Sequence, residues 1–170
     1  MDIFWEELTS GLPDTRQLVH VIIRLIAATL LGAVIGFQRE RVGKPAGLRT
    51  HILVTLGTCV FVLAGSGYGM NSDGLSRVIQ GIVTGIGFIG AGSILKINEE
   101  RDIQGLTTAA GVWMAAAIGV AVGLGALGLA IFSTILTLII LTLAGKIEFQ
   151  INKEQKTNDK QTNARQNSDE

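Results

Sequence analysis

The stretch IQGLTTAAGVWMAAAIGVAVGLGALGLAIFSTILTLIILTLAG, residues 103–145, contains no charged side chain. A helix that crosses a bilayer needs about 20 predominantly apolar residues, so this run is about two spans long. Glycines at 123, 125 and 128 place a tight turn near its middle and divide it into spans at 105–122 and 126–143. A soluble bundle would need a polar stripe on each helix. Residues 131–143 offer only Ser133, Thr134, Thr137 and Thr142, whose hydroxyls can bond back to carbonyls of their own helix.

Three stretches nearer the N-terminus also lack charge. Residues 25–37 form one, which extends back through 18–23 with only Arg24 interrupting. Residues 50–70 form the second, where His51 is the one basic group, and residues 78–95 form the third. The reading is an all-α, polytopic transmembrane helix bundle of five spans, at about 18–37, 49–68, 78–96, 105–122 and 126–143. A polar tail over 146–170 is expected to be largely disordered, with Ile147, Phe149 and Ile151 alternating in a brief strand-like pattern. Ahead of the first span, Phe4, Trp5, Leu8 and Leu12 predict a short interfacial helix ended by Pro13. Asp14 then reads as an N-cap, with Gln17 as its capping-box partner. The acids Asp2, Glu6 and Glu7 stand where a cleaved signal peptide would carry basic residues.

Composition agrees with this reading. Hydrophobic residues make up 48% of the chain and charged residues 16%, against about 25% charged in an average soluble domain. The single cysteine, Cys59, excludes an internal disulfide and a thiolate zinc site. A formal net charge of zero gives no reason to expect a nucleic-acid partner. Position matters more than the sum. Loop 38–49 carries Arg39, Arg41, Lys44 and Arg49; loop 96–102 carries Lys96 and Arg101; the tail carries five more cations. Only Arg16 and Arg77 lie on the opposite side. Under the positive-inside rule, this places the N-terminus outside and the C-terminus in the cytoplasm, which an odd number of spans requires.

Glycine accounts for 22 residues. Lipid gives apolar helices no reason to associate, so small residues that permit close backbone approach supply the packing. Ala28, Gly32 and Gly36 repeat every fourth residue on the first span, Gly81 and Gly85 on the third, and Gly111, Ala115, Gly119 and Gly123 on the fourth. These stripes serve either packing within the bundle or docking of a second membrane protein or a second copy. Gly87, Gly90 and Gly92 are closely spaced but follow no strand, so they do not read as a nucleotide loop.

The chemistry-bearing residues are few. Arg24 is the one formal charge inside an apolar segment. It either snorkels to the outer boundary or is buried and bonded to backbone carbonyls or to Asp73. Arg39, Glu40 and Arg41 fall at the cytoplasmic end of the first span, where cations complement the helix dipole. In the loop after them, the choice lies between lipid headgroups and topology and a Glu40–Arg49 clamp or phosphate contact that orders it. Thr107 and Thr108 are expected to cap the fourth span. No span carries Asp or Glu at its centre, whereas a magnesium site uses carboxylate oxygens. No catalytic, cofactor-binding or metal-ligating set is predicted, and the chain does not read as an enzyme.

The ordered motifs Arg24-Leu25-Ile26-Ala27-Ala28 with Gly32 and Gly36, Arg39-Glu40-Arg41, Pro45-Ala46-Gly47-Leu48-Arg49-Thr50-His51, Gly85-Ile86-Gly87-Phe88-Ile89-Gly90-Ala91-Gly92 and Gly105-Leu106-Thr107-Thr108-Ala109-Ala110 resemble the MgtC/SapB membrane-protein family. The likeness covers about residues 20–143. Gln38 departs from it, standing where the family more often has an acid. Long members carry a cytoplasmic ACT-like domain after the last span, where this chain has only its polar tail. The resemblance implies a multi-pass protein of the bacterial cytoplasmic membrane. It also implies a non-enzymatic regulator tied to magnesium limitation, acting through membrane partners such as the F-type ATP synthase subunits. The alternative is a small oligomeric transporter or channel, for magnesium.

Overall fold

A computed structural model describes residues 14–67, 69–97 and 102–143, with the isolated positions 3 and 145. The expected interfacial segment over 4–13, the acids Glu99 and Glu100, Arg101 and the tail beyond 145 lie outside the described residues. Helix α1 runs Thr15–Arg41, α2 Leu48–Gly67 and α3 Ser72–Gly92. Strands β1 (Leu95–Ile97) and β2 (Asp102–Gln104) come next, then α4, Leu106–Gly123, and α5, Leu127–Leu143. The chain divides into two units, residues 1–134 and 135–170, and the packing of α1 to α4 belongs to the first.

Four helices, α1 to α4, are long and apolar enough to cross a membrane, and α5 is a shorter apolar helix. The start of α1 is set by Asp14, whose carboxylate accepts from the Thr15 amide at 2.8 Å. At 27 residues α1 is about 40 Å long, more than the ~30 Å hydrocarbon layer, so it is long enough to extend beyond it.

The third predicted span extends to 96, but α3 ends at Gly92. Ser93 turns the chain: its amide and its hydroxyl both donate to Gly90 O, at 3.0 and 2.7 Å. The apolar residues beyond it enter an antiparallel hairpin, pairing Leu95 with Gln104 and Ile97 with Asp102. Gly105 closes this hairpin onto the end of α3. Its φ is +98°, a conformation that favours glycine, and a Cβ there would overlap Ser93 O. The hairpin is the one pair of strands among the described residues.

Packing centres on α4, which touches α1, α2 and α3 and buries ten of its residues, from Thr108 to Gly123. It runs parallel to α2. A Cβ at Gly119 would overlap Thr58 Oγ1 and Thr55 O, and one at Gly123 would lie 2.7 Å from Val62 Cβ. Helix α1 runs antiparallel to α2 on the same terms: a Cβ at Gly32 would overlap Thr55 Oγ1, and one at Gly36 would stand 2.6 Å from Leu48 Cα. The α2 threonines do not spoil this contact. Thr55 donates to His51 O and Thr58 to Val54 O, each at 2.9 Å, so their hydroxyls are satisfied within their own helix. Against α3, Gly90 meets Ala109, and Ile86 joins Val112, Ala116 and Ala46 in a small cluster. The outer face of α1 exposes Ile22, Ile23, Ile26, Leu30, Val34 and Phe37, side chains suited to lipid.

Backbone-to-backbone contact of this kind leaves no room for a methyl group. Gly36→Ala and Gly119→Ala are expected to lower stability by about 1–3 kcal/mol through overpacking. Gly57→Ala, whose Cβ meets nothing within 4 Å, should be neutral or stabilise by up to about 1 kcal/mol through helix propensity. Reversible unfolding in mixed micelles with rising SDS measures all three.

Candidate functional site

Two arginines of α1, Arg24 and Arg39, stand about 22 Å apart along the helix at 1.5 Å per residue. Each ties α1 to one end of α4. Arg24 Nη1 donates to Gly123 O at 2.8 Å, and Arg39 Nη2 donates to Thr108 Oγ1 at 2.6 Å. The helices are antiparallel, so equal spacing on each, 24 to 39 and 108 to 123, brings both pairs into register. Of the alternatives for Arg24, the structure has the carbonyl contact and not Asp73. The Cys59 thiol also approaches Arg24 O, at 3.9 Å, from α2.

Gly125 makes room for this guanidinium. Its φ is +82°, and a Cβ there would come 2.5 Å from Arg24 Nη2. The sequence marks 123–128 only as a turn. That the turn also receives an arginine depends on which helix lies opposite, which the local sequence does not carry.

Arg39 is the more buried of the two, at 2% exposure. Its Nε has no hydrogen-bond partner among the described residues, and two other buried polar atoms, His51 Nε2 and Gln38 Oε1, share that state. His51 is fully buried. Its Nδ1 lies 3.0 Å from Gly47 O; the carbonyl can only accept, so Nδ1 carries the hydrogen and Nε2 of the neutral ring is left as an acceptor. A Cβ on Gly111 would lie 3.6 Å from that Nε2, so the ring sits over α4 one turn beyond Thr108. Helix α4 begins here with Gly105 as its cap and no side-chain bond to its first turn. Thr108 therefore does not cap α4 as expected; its hydroxyl is the acceptor for Arg39. Thr107 is exposed.

The loop between α1 and α2 is tied to the same end. Glu40 Oε2 accepts from the Leu48 amide at 2.9 Å, so its carboxylate meets backbone and not Arg49, which is exposed. Lys44 N donates to Arg39 O at 3.1 Å. Arg41 lies over the Phe37 ring, 5.8 Å from its centroid, a cation–π arrangement. Of the predicted residues, Arg39 and Thr108 meet directly, Glu40 secures the loop beside them, and Arg24 stands at the far end. Of the glycines, Gly32, Gly36, Gly90, Gly111 and Gly119 face neighbouring helices, while Gly81, Gly85 and Gly87 meet nothing within 4 Å. His51 was not singled out by sequence as part of this centre. A histidine in the first turn of an apolar helix is the signal that could have drawn attention to it.

Chemically, the centre is cationic. A buried guanidinium and the positive end of the α4 dipole lie together, and among the described residues no group of three or more His, Cys, Asp or Glu could hold a metal ion. Such a centre holds helices by hydrogen bonds and repels a passing cation.

A model of the MgtC family matches residues 25–150, and the chain belongs to that family. It is 43% identical over 138 residues to the Escherichia coli K12 protein named "Putative magnesium transporter YhiD", covering 76% of this chain and 63% of that protein. It is 43% identical to SrpB of Synechococcus elongatus, over 72% of each chain. It is 45% identical to MgtC of Salmonella typhimurium over 69% of this chain and 49% of that one. The chain thus spans about three fifths of the first of these relatives and about half of the last. No solved structure matches it.

The Arg39–Thr108 contact predicts a specific pattern of energies. Thr108→Val leaves a buried charged donor without its acceptor and should cost about 1–3 kcal/mol. Arg39→Lys should not substitute for arginine, because the ammonium cannot reproduce the planar fork. In a double-mutant cycle, Arg39→Met with Thr108→Val should destabilise less than the two single changes added, by about 0.5–3 kcal/mol. Unfolding in micelles provides the measurement; strict additivity would show that the contact carries no energy.

Proposed function

We propose that this membrane protein of the MgtC family is a non-enzymatic regulator of another membrane complex, linked to magnesium limitation or stress adaptation. The partner class that the family resemblance suggests is the membrane part of the F-type ATP synthase. In this reading the chain crosses the bacterial cytoplasmic membrane five times, α5 being the fifth span, with its C-terminus in the cytoplasm.

The observation that carries the regulator reading is the pair of guanidiniums on α1. Arg24 and Arg39 stand at the two ends of the seam between α1 and α4. A divalent cation moving along that seam would meet a fixed positive charge at each end, with no carboxylate offered to it within α1, α2 or α4 short of Glu40. On its α2 side, α4 is closed as well, with Gly119 and Gly123 packed directly on α2. This is the construction of a clamp more than of a conduit. A transport reading is favoured by one fact, the name given to the Escherichia coli relative.

Purified protein reconstituted into liposomes with a trapped magnesium indicator separates the two. The regulator reading expects magnesium entry no faster than in protein-free vesicles, together with co-isolation of ATP synthase membrane subunits from native membranes. Protein-dependent magnesium flux would overturn it and establish transport.

A further inference from the structure

Helix α3 has an outward face that differs from the lipid-facing side of α1. At about 100° per residue, its two buried residues, Ile86 and Gly90, define the side turned to the bundle. Diametrically opposite, a sector of about 120° includes Asp73, Arg77, Gly81, Thr84, Gly85, Phe88 and Gly92, with Gly74 and Ala91 beside them. Three of these are glycines whose added Cβ would meet nothing within 4 Å. Among them stands Phe88, 85% exposed and more so than any other large apolar residue described. One turn toward the helix start from Phe88 is Gly85, and one turn beyond it is Gly92.

We propose that this face of α3 is the two-fold interface of a homodimer, and that its occupant is α3 of a second copy. Two copies inserted in one membrane share an orientation, so a two-fold axis along the membrane normal sets their α3 helices side by side and parallel. An interface of that symmetry must contain both halves of every contact on a single surface. This face does. Phe88 is a projection and Gly81, Gly85 and Gly92 are hollows on the same stripe, so each copy can seat its ring over the other's glycines. Toward the start of α3, Asp73 and Arg77 are both exposed and paired with nothing among the described residues. Across the axis, Asp73 of each copy and Arg77 of the other differ in height by one helical turn, a diagonal that the long arginine side chain spans, giving two equivalent ion pairs where the helix leaves the apolar layer. A lipid acyl chain would fill the hollows but would leave both charges unpaired. The proposal is independent of the regulator reading, since a dimer could serve a regulator or a transporter.

The test uses the full chain in native membranes, with Cys59→Ala removing the single thiol. Thr84→Cys and Gly85→Cys, added singly, are expected to give a crosslinked band of twice the chain mass on mild oxidation. Leu30→Cys on the outer face of α1 is expected to stay monomeric. Arg77→Asp should raise the dimer dissociation constant by about two- to thirtyfold, the range for two exposed ion pairs. The swap Asp73→Arg with Arg77→Asp should restore it. Gly85→Leu fills a hollow without touching the bundle, so it should remove the dimer while leaving the single chain at least as stable as before. Absence of the dimer band at positions 84 and 85 would overturn the proposal, as would an adduct containing a different protein or a charge swap that fails to restore association.

Discussion

Backbone contact between α4 and α2 is the constraint on which the other features of the bundle depend. In lipid, helices gain nothing by hiding apolar side chains from one another, and association rests on close packing and polar contacts. Here Gly119 and Gly123 bring the α4 backbone against Thr55, Thr58, Cys59 and Val62 of α2. With α4 held that close, α1 reaches it as well as α2, and the arginines of α1 find their acceptors at Gly123 and Thr108. A bulkier α4 would push its ends out of reach of Arg24 and Arg39. The small residues thus set the distances, and the guanidiniums exploit them.

The two arginines are not equivalent. Arg24 is partly exposed and bonds a carbonyl at the C-terminal end of α4, where the helix dipole is negative and a cation is welcome. Arg39 is buried at the opposite end, where the dipole is positive and works against it. One hydroxyl acceptor is a thin return for a charge so placed, since an unpaired buried charge is costly. His51 Nε2, over the same end of α4, has no partner among the described residues, so the polar surroundings that offset this cost are few. This end of the bundle therefore holds the least relaxed electrostatics in the described structure. It is also where the α1–α2 loop, secured by Glu40, meets the start of α4.

What the sequence revealed and what it hid divide along a physical line. The helices were legible because each is a charge-poor run of suitable length, and the small-residue stripes on α1 and α4 were legible because period four is the signature of close approach. The hairpin after α3 was hidden: Ile94, Leu95 and Ile97 are as apolar as a helix end, and their strand depends on the pairing of Leu95 with Gln104 and on the positive φ at Gly105. Arg39 was legible as a residue of interest because charges at span ends are conspicuous. Its partner was not, because 69 residues separate it from Thr108 and the register between α1 and α4 is set by packing on α2. Thr108 was expected to cap its own helix for the same reason, local rules being blind to a donor that arrives from another element.

The glycines of α3 are the largest group of helical glycines that this arrangement leaves without a neighbour, Gly57 inside α2 and Gly128 inside α5 being single cases. A glycine inside a helix costs up to about 1 kcal/mol relative to alanine, and α3 carries Gly81, Gly85, Gly87 and Gly92 with nothing against them. On α1 and α4 the corresponding cost is offset at once by contact with α2. Helix α1 shows what this chain uses where it faces only lipid: isoleucine, leucine, valine and phenylalanine. Helix α3 departs from that choice on the side turned away from the bundle, and sets one protruding phenylalanine among the hollows. A surface that gives up helix stability and lipid contact together gains from neither water nor acyl chains. The proposed dimer would return that cost by bringing another backbone close, the same interaction that holds α4 to α2.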